Sequence, residues 1–172
     1  MKKLIVLMAA LFAALVIVGC KTPPPAGPSA AELLASAKGN APDGVLVGLA
    51  TAKGSAEQTA MSQIKRGMIY IVGEMIDEQA AGGRLSASAA NDLKTSVNSI
   101  LSRASLANVV KVDSGLSAAG DGWAVYYLSK ADTLSEITKA VNLAKESVAA
   151  GNFNLNNFDA KFAAAIAREW KN

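Results

Sequence analysis

From Ser29 onward, short apolar stretches alternate with long amphipathic ones, and the two types follow different periods. Ala30–Lys38 has the length and composition of a short helix. Val45–Ala50, after the turn signal Pro42-Asp43-Gly44, is brief and rich in β-branched residues, which predicts a buried strand. Ser55-Ala56-Glu57-Gln58 then has the pattern of a capping box with Gln58 at the third helical position. Behind it, Ala60, Met61, Ile64, Met68, Ile71, Val72, Met75 and Ile76 recur at helical spacing, the wide stripe of a helix laid on a sheet. Gly82-Gly83 ends that helix. A second one carries Ala89, Leu93, Val97, Ile100, Leu101 and Ala104 on one face, with Asp92, Lys94 and Asn98 turned away.

Two more strands are predicted at Asn108–Val112 and Trp123–Ser129, where β-branched and aromatic residues concentrate. The segment between them, DSGLSAAGDG, is small and polar and predicts a long-looped hairpin. Asp132 or Thr133 then caps a helix, with Glu136 completing a box from Thr133. Its apolar positions Leu134, Ile137, Val141, Ala144 and Val148 are spaced 3-4-3-4 over two heptads, too short for a coiled coil, and suggest packing on the sheet. Gly151 is the expected stop. A last helix, opened near Asn154 or Asn157, aligns Phe158, Phe162, Ile166 and Trp170. The expected fold is α+β, with a small antiparallel three-stranded sheet, helices on one face and the order β-α-α-β-β-α-α.

The first residues follow another pattern. Lys2 and Lys3 precede an uncharged apolar run from Leu4 to Gly19. As a helix it would span about 24 Å, short of the ~20 residues of a comfortable bilayer crossing. A basic start, a short apolar run and a small residue at its end are the pattern of a secretory signal peptide. Ile17-Val18-Gly19-Cys20 resembles a bacterial lipobox, which implies cleavage before Cys20 and covalent diacylglycerol and N-acyl lipid on its thiol. Two or more acyl chains anchor stably where one is marginal. Residues 1–19 are thus read as signal peptide, 20–30 as acylated cysteine and Pro-rich tether, and 31–172 as one α+β domain. Prolines 23, 24, 25 and 28 favour an extended tether. By similarity to lipoprotein sorting in Gram-negative bacteria, Lys21 in place of Asp implies the outer membrane.

Composition narrows the function. Without Lys2 and Lys3, basic residues fall from 17 to 15 against 14 acids, so the formal charge drops from +3 to +1. The basic residues are scattered, and nucleic acid is not an expected partner. The chain has no histidine, and its single cysteine is assigned to lipid. That removes the usual zinc, copper and haem ligands and the Cys–His and Ser–His nucleophilic machineries. No enzyme activity, metal or other cofactor is expected. The protein reads as an interaction or envelope-assembly module held at the membrane by its lipid, with envelope proteins as partners. The alternative is a small-molecule or cation-binding lipoprotein.

Three features are candidate chemistry. GLATAKGS, Gly48–Ser55, sits between strand and helix like a phosphate loop, but Lys53-Gly54-Ser55 reverses the order that loop needs. It reads as a strand-to-helix turn whose free N–H groups hold an anion at most weakly. Glu74, Asp77 and Glu78 share one helix face, either as a weak cation candidate or as partners for lysine or arginine. Trp123, Tyr126 and Tyr127 lie on one strand, and alternation leaves an aromatic on the sheet's open side as a possible ligand or partner surface. The regular Met61, Met68 and Met75 spacing is read as core.

From Asp43 to Leu143 the chain resembles the LPP-twenty family of bacterial lipoproteins. The likeness rests on PDGVLVGLATA, with Val47, Gly48, Leu49 and Ala50 before Ala52, Ala56 and Ala60, and on Gly122, Tyr126 or Tyr127, and Leu128 in GDGWAVYYLSKA. Asp43-Gly44 stands where that family often has an aromatic. The two-helix insertion and the Phe/Trp C-terminal helix also depart from a minimal domain. The resemblance implies a non-enzymatic envelope lipoprotein with a small α+β domain and brings no catalytic residue with it.

Overall fold

A computed structural model describes residues 27–169. The signal segment, Cys20, Lys21, prolines 23–25 and Trp170 lie outside the described residues. Among the described residues, five helices and three strands follow in the order α1 (Ala30–Lys38), β1 (Leu46–Ala52), α2 (Ala56–Ala81), α3 (Ala87–Arg103), β2 (Val110–Leu116), β3 (Gly122–Leu128), α4 (Lys130–Lys145) and α5 (Phe158–Glu169). The class is α+β, as the sequence pattern implies. The sheet is antiparallel with spatial order β1-β3-β2.

The central strand explains the layering. β3, GWAVYYL, is apolar at nearly every position and buried throughout except for half-buried Tyr127. A strand without alternation needs cover on both faces. Ala124, Tyr126 and Leu128 face the large core beneath α2, together with Leu46 and Ala50 of β1. Trp123, Val125 and Tyr127 face the other way and meet Ala30, Leu33, Leu34 and Ala37 of α1, with Val45 and Val47. The expectation of helices on a single face is corrected here. α1, capped by Ser29 and Glu32 in a reciprocal box, covers the second side.

α2 is the main support of the sheet. Its 26 residues extend about 39 Å, and Ala60, Ile64, Met68, Ile71, Val72, Met75 and Ile76 are fully buried. Each of the larger ones contributes roughly 1.5–3 kcal/mol by leaving water. The backbone of α2 passes very close to β1. A Cβ at Gly48 would stand 2.0 Å from the Ala60 carbonyl oxygen, and one at Gly67 would stand 2.6 Å from Leu46 Cδ1. The same helix shields β1 laterally, since Gln63 Oε1 accepts the Leu49 N–H at 2.8 Å.

Three local expectations change. The hairpin loop is short, Ser117–Asp121, because β2 runs on to Leu116. Asp113-Ser114-Gly115 looks like loop by composition, yet β3 supplies the pairing Asp113↔Val125, Ser114↔Ala124 and Gly115↔Trp123, after an irregularity at Val112. α4 is capped by Ser129, whose hydroxyl accepts the Asp132 N–H at 3.0 Å. Thr133 is instead buried in the first turn, its hydroxyl donating to the Ser129 carbonyl at 2.8 Å. The 3-4 spacing of α4 serves helix–helix packing, chiefly on α3, rather than contact with the sheet. α4 also ends at Lys145, before Gly151, as Lys145 Nζ turns back to the Phe153 carbonyl at 2.6 Å.

The two close approaches differ in what must yield, which ranks their substitutions. Gly48→Ala drives a methyl into α2 backbone and should cost at least about 2–3 kcal/mol. Gly67→Ala meets the movable end of a leucine and should cost clearly less. Urea unfolding of the two variants measures the difference, and equal losses would mean that backbone contact does not set the helix-to-sheet distance.

Candidate functional site

Where α2 begins, the ends of β2 and β3 come beside it and enclose an open cleft of about 410 Å³. Gly54, Ser55, Ala56, Glu57 and Gln58 line one wall, and Ser114, Gly115, Leu116, Gly122 and Trp123 the other. Gly54 adopts φ 86°, a backbone state natural to glycine. It turns the chain from β1 into the helix. Ser55 occupies the N-cap position, but its side chain makes no capping hydrogen bond. The capping box expected from Ser55 and Gln58 is therefore not formed. The first-turn N–H groups of Ala56, Glu57 and Gln58 are left without a side-chain cap at the positive end of the helix dipole.

Glu57 turns toward β2. Its Oε1 accepts the Ser114 hydroxyl at 2.7 Å and the Lys111 ammonium at 3.3 Å. The Ser114 hydrogen bond first, and then Lys111, hold the Glu57 carboxyl below its ordinary value of 4.5. Beneath this pair the Tyr126 phenol is pushed above 10.0, by burial first and by the Glu57 charge second. The phenol stays protonated across the physiological range. Periodicity gave no sign of this cluster, because Glu57 is 54 residues from Lys111 and 57 from Ser114. Only strand pairing brings them together.

Trp123 closes the cleft at the sheet. It is 7% exposed, and its Nε1 is buried without a hydrogen-bond partner among the described residues. The edge of the indole that carries Nε1 lies against Gly115, where an added Cβ would come within 3.4 Å of the nitrogen. An orphaned buried donor costs about 1–3 kcal/mol, and native structures hold few of them.

The three strand aromatics therefore separate. Trp123 lines the cleft, Tyr126 lies in the main core beside Glu57, and Tyr127 packs half-buried against α1. The sheet side expected to be open, with an aromatic free for a partner, is covered by α1. The carboxylate face of α2 is also divided. Asp77 pairs with Lys94 of α3 at 2.6 Å, and Glu78 pairs with Lys161 of α5 at 2.9 Å and also accepts from the Asn157 amide. Of the two uses open to these carboxylates, Asp77 and Glu78 serve lysine pairing, while Glu74 takes part in neither bond. Among the described residues no group of three or more acidic, His or Cys side chains is placed to hold a metal ion. No described helix is long and apolar enough to cross a membrane.

Neither a family model, nor a curated protein, nor a solved structure matches the chain.

The Glu57 cluster makes a definite pH prediction. With its folded-state pKa depressed, Glu57 contributes stability above the unfolded value near 4.5 and loses it as pH falls through the lower folded value. Glu32, Glu78 and Asp132 are shifted in the same direction, so the variant must be compared with wild type at each pH. Glu57→Gln should be less stable than wild type at pH 7 and converge with it as pH falls below the unfolded value of 4.5 and through the lower folded one, as read by urea midpoints. A constant gap would show that the carboxylate charge is not what Ser114 and Lys111 stabilise.

Proposed function

We propose that this chain is a lipid-anchored bacterial envelope protein whose α+β domain is a non-catalytic interaction or envelope-assembly module. The observation that carries the reading is Ile17-Val18-Gly19-Cys20, set between a short apolar run and a proline-rich segment. Cys20 is the proposed acylation site, and Lys21 supports the outer membrane as its destination. The LPP-twenty resemblance belongs to the same proposal. An exposed edge strand β2, with Val110 44% and Leu116 71% exposed, suits a domain that meets other proteins, since apolar side chains on an edge strand favour association.

Metabolic labelling with a palmitate analogue should mark the wild-type chain and leave Cys20→Ala unlabelled and released from the membrane fraction. Equal labelling of the two chains would rule out Cys20 as the anchor.

A second reading, a lipoprotein that binds a small molecule, is favoured by one observation, the orphaned Trp123 N–H beside the cleft. A thermal-shift screen of envelope metabolites separates the readings. A ligand that binds only the folded state stabilises it by about 2.7 kcal/mol at a hundred times its Kd. A protein-only module should show no such shift and should yield a crosslinked protein partner.

A further inference from the structure

We propose that the tip of the β2–β3 hairpin, Leu116–Gly120, is a membrane-contact surface that dips Leu116 into the lipid layer to which the chain is anchored. The inference rests on the reading of Cys20 as the acylated residue and adds to it the side of the domain that faces the bilayer.

The place where the leader meets the domain fixes the orientation. Gly27 lies against this hairpin, since a Cβ added there would stand 3.1 Å from Ala118 Cβ. Ser29 and Ala30 line a shallow hollow together with Thr51, Lys53 and Asp121. The leader, the hairpin tip and the β1–α2 turn thus share one end of the domain. From Cys20 to Gly27 the chain can span at most about 25 Å, even fully extended. α2 starts at this same end, where Leu116 and Ser55 line one cleft, and it runs about 39 Å away. A lipid on Cys20 can bring the hairpin end onto the bilayer, whereas the far end of α2 is out of reach.

The tip is suited to apolar surroundings. Leu116 is 71% exposed, more than any other large apolar side chain among the described residues. No residue from Ser114 to Gly120 carries a charge, and Ala118 and Ala119 are exposed beside Leu116. The turn also meets part of its own hydrogen-bonding need. The Ser117 and Gly120 N–H groups donate to the Asp121 and Ser117 carbonyls, both at 2.9 Å, and the Asp121 N–H donates to the Ser117 hydroxyl at 3.2 Å. Backbone groups satisfied in this way cost less to move out of water.

One leucine is too little to hold a free domain on a membrane, but a short tether keeps it at high local concentration there. Charge does not select the lipid. Glu32, Lys53 and Asp121 at this end are of mixed sign, and Glu57 is paired with Lys111. The contact is therefore apolar and independent of anionic headgroups. Val110, at the opposite end of β2 and about 20 Å from the tip, stays clear of the bilayer for contact with proteins.

The test uses the full chain expressed with its signal, purified from membranes and reconstituted in phosphatidylcholine vesicles. Maleimide first reads the anchor, because an acylated Cys20 does not react. A nitroxide is then placed through Ala119→Cys at the tip or Arg84→Cys beyond the far end of α2, and its collisions with oxygen and with a water-soluble nickel chelate are measured. The ratio of oxygen to nickel collisions should be at least about fivefold higher at the tip than at Arg84. Leu116→Glu, confirmed as folded by circular dichroism, should lower the tip ratio at least about threefold, since a carboxylate resists entry into lipid. Adding phosphatidylglycerol to the vesicles should leave the ratio unchanged.

A tip as open to nickel as Arg84, on a chain whose Cys20 is acylated, would overturn the proposal and leave the anchor standing. A Cys20 thiol that reacts with maleimide would remove the anchor and the proposal with it. Protection that Leu116→Glu does not alter, or that appears only with phosphatidylglycerol, would reject apolar insertion. Dipolar broadening between Ala119→Cys nitroxides of two chains would overturn it too, by showing that a second copy covers the tip.

Discussion

The near-contact of two backbones, α2 at Ala60 and β1 at Gly48, sets the spacing of the rest of the structure. Only a strand residue without a Cβ lets a helix lie that low. Once it does, Ala56, Ala60 and Gly67 along the helix, with Gly48, Ala50 and Gly122 along the strands, form a seam of small residues. Larger side chains are displaced to either side of that seam. Ile64, Met68, Ile71, Val72, Met75 and Ile76 fill the space between the sheet, α3 and α5. The low approach also lets Gln63 reach the Leu49 amide, which shields one edge of the sheet, and brings Glu57 within reach of Ser114 on the opposite edge strand. The start of α2 is thus fixed by a contact made one turn further on.

That placement accounts for the character of the cleft. Glu57 lies in the first turn of the helix, where its charge complements the dipole, but its carboxylate is committed to β2. The N-cap hydroxyl is equally unengaged with the helix. The helix start therefore keeps its donors at a surface formed with Gly115 and Gly122 of the neighbouring strands. The polar groups elsewhere on α2 are largely settled: Asp77 and Glu78 hold lysines of the neighbouring helices, and the Gln79 side chain exchanges two hydrogen bonds with the Asn154 backbone.

How much of this is legible in the sequence depends on whether local pattern or tertiary context decides. The α2 stripe, the α3 stripe and the all-apolar β3 follow from side-chain period and burial; the structure buries all of the α2 stripe but Met61, and of the α3 stripe it buries Leu93, Val97 and Leu101 while Ala89, Ile100 and Ala104 are half-buried. β2 is different. Asp113-Ser114-Gly115 has no strand propensity of its own and becomes strand because β3 offers a ladder beside it, the usual way context overrides composition at an edge. The caps follow the same logic. Ser55–Gln58 and Thr133–Glu136 both fit a capping box, yet Glu57 is drawn toward Ser114, and Thr133 is held in the core with Ser129 capping from outside. The short helix α1 was visible, but its side of the sheet was not, since only the missing alternation of β3 demands a second cover. The cleft was legible solely as a strand-to-helix turn. Its remaining parts, Ser114, Gly115 and Trp123, arrive through strand register.

The position of α1 also decides how the domain responds to tension. A pull on the chain ahead of Ser29 does not reach the strand ladder directly. It acts first on a small apolar patch, Ala30, Leu33, Leu34 and Ala37 of α1 against Val45, Val47, Trp123 and Val125, a cluster separate from the main core, and α1 itself shares no backbone hydrogen bonds with the sheet. Such a patch opens without disturbing the main core. α1 is therefore held to the sheet by side-chain packing, and its removal would break no strand pair.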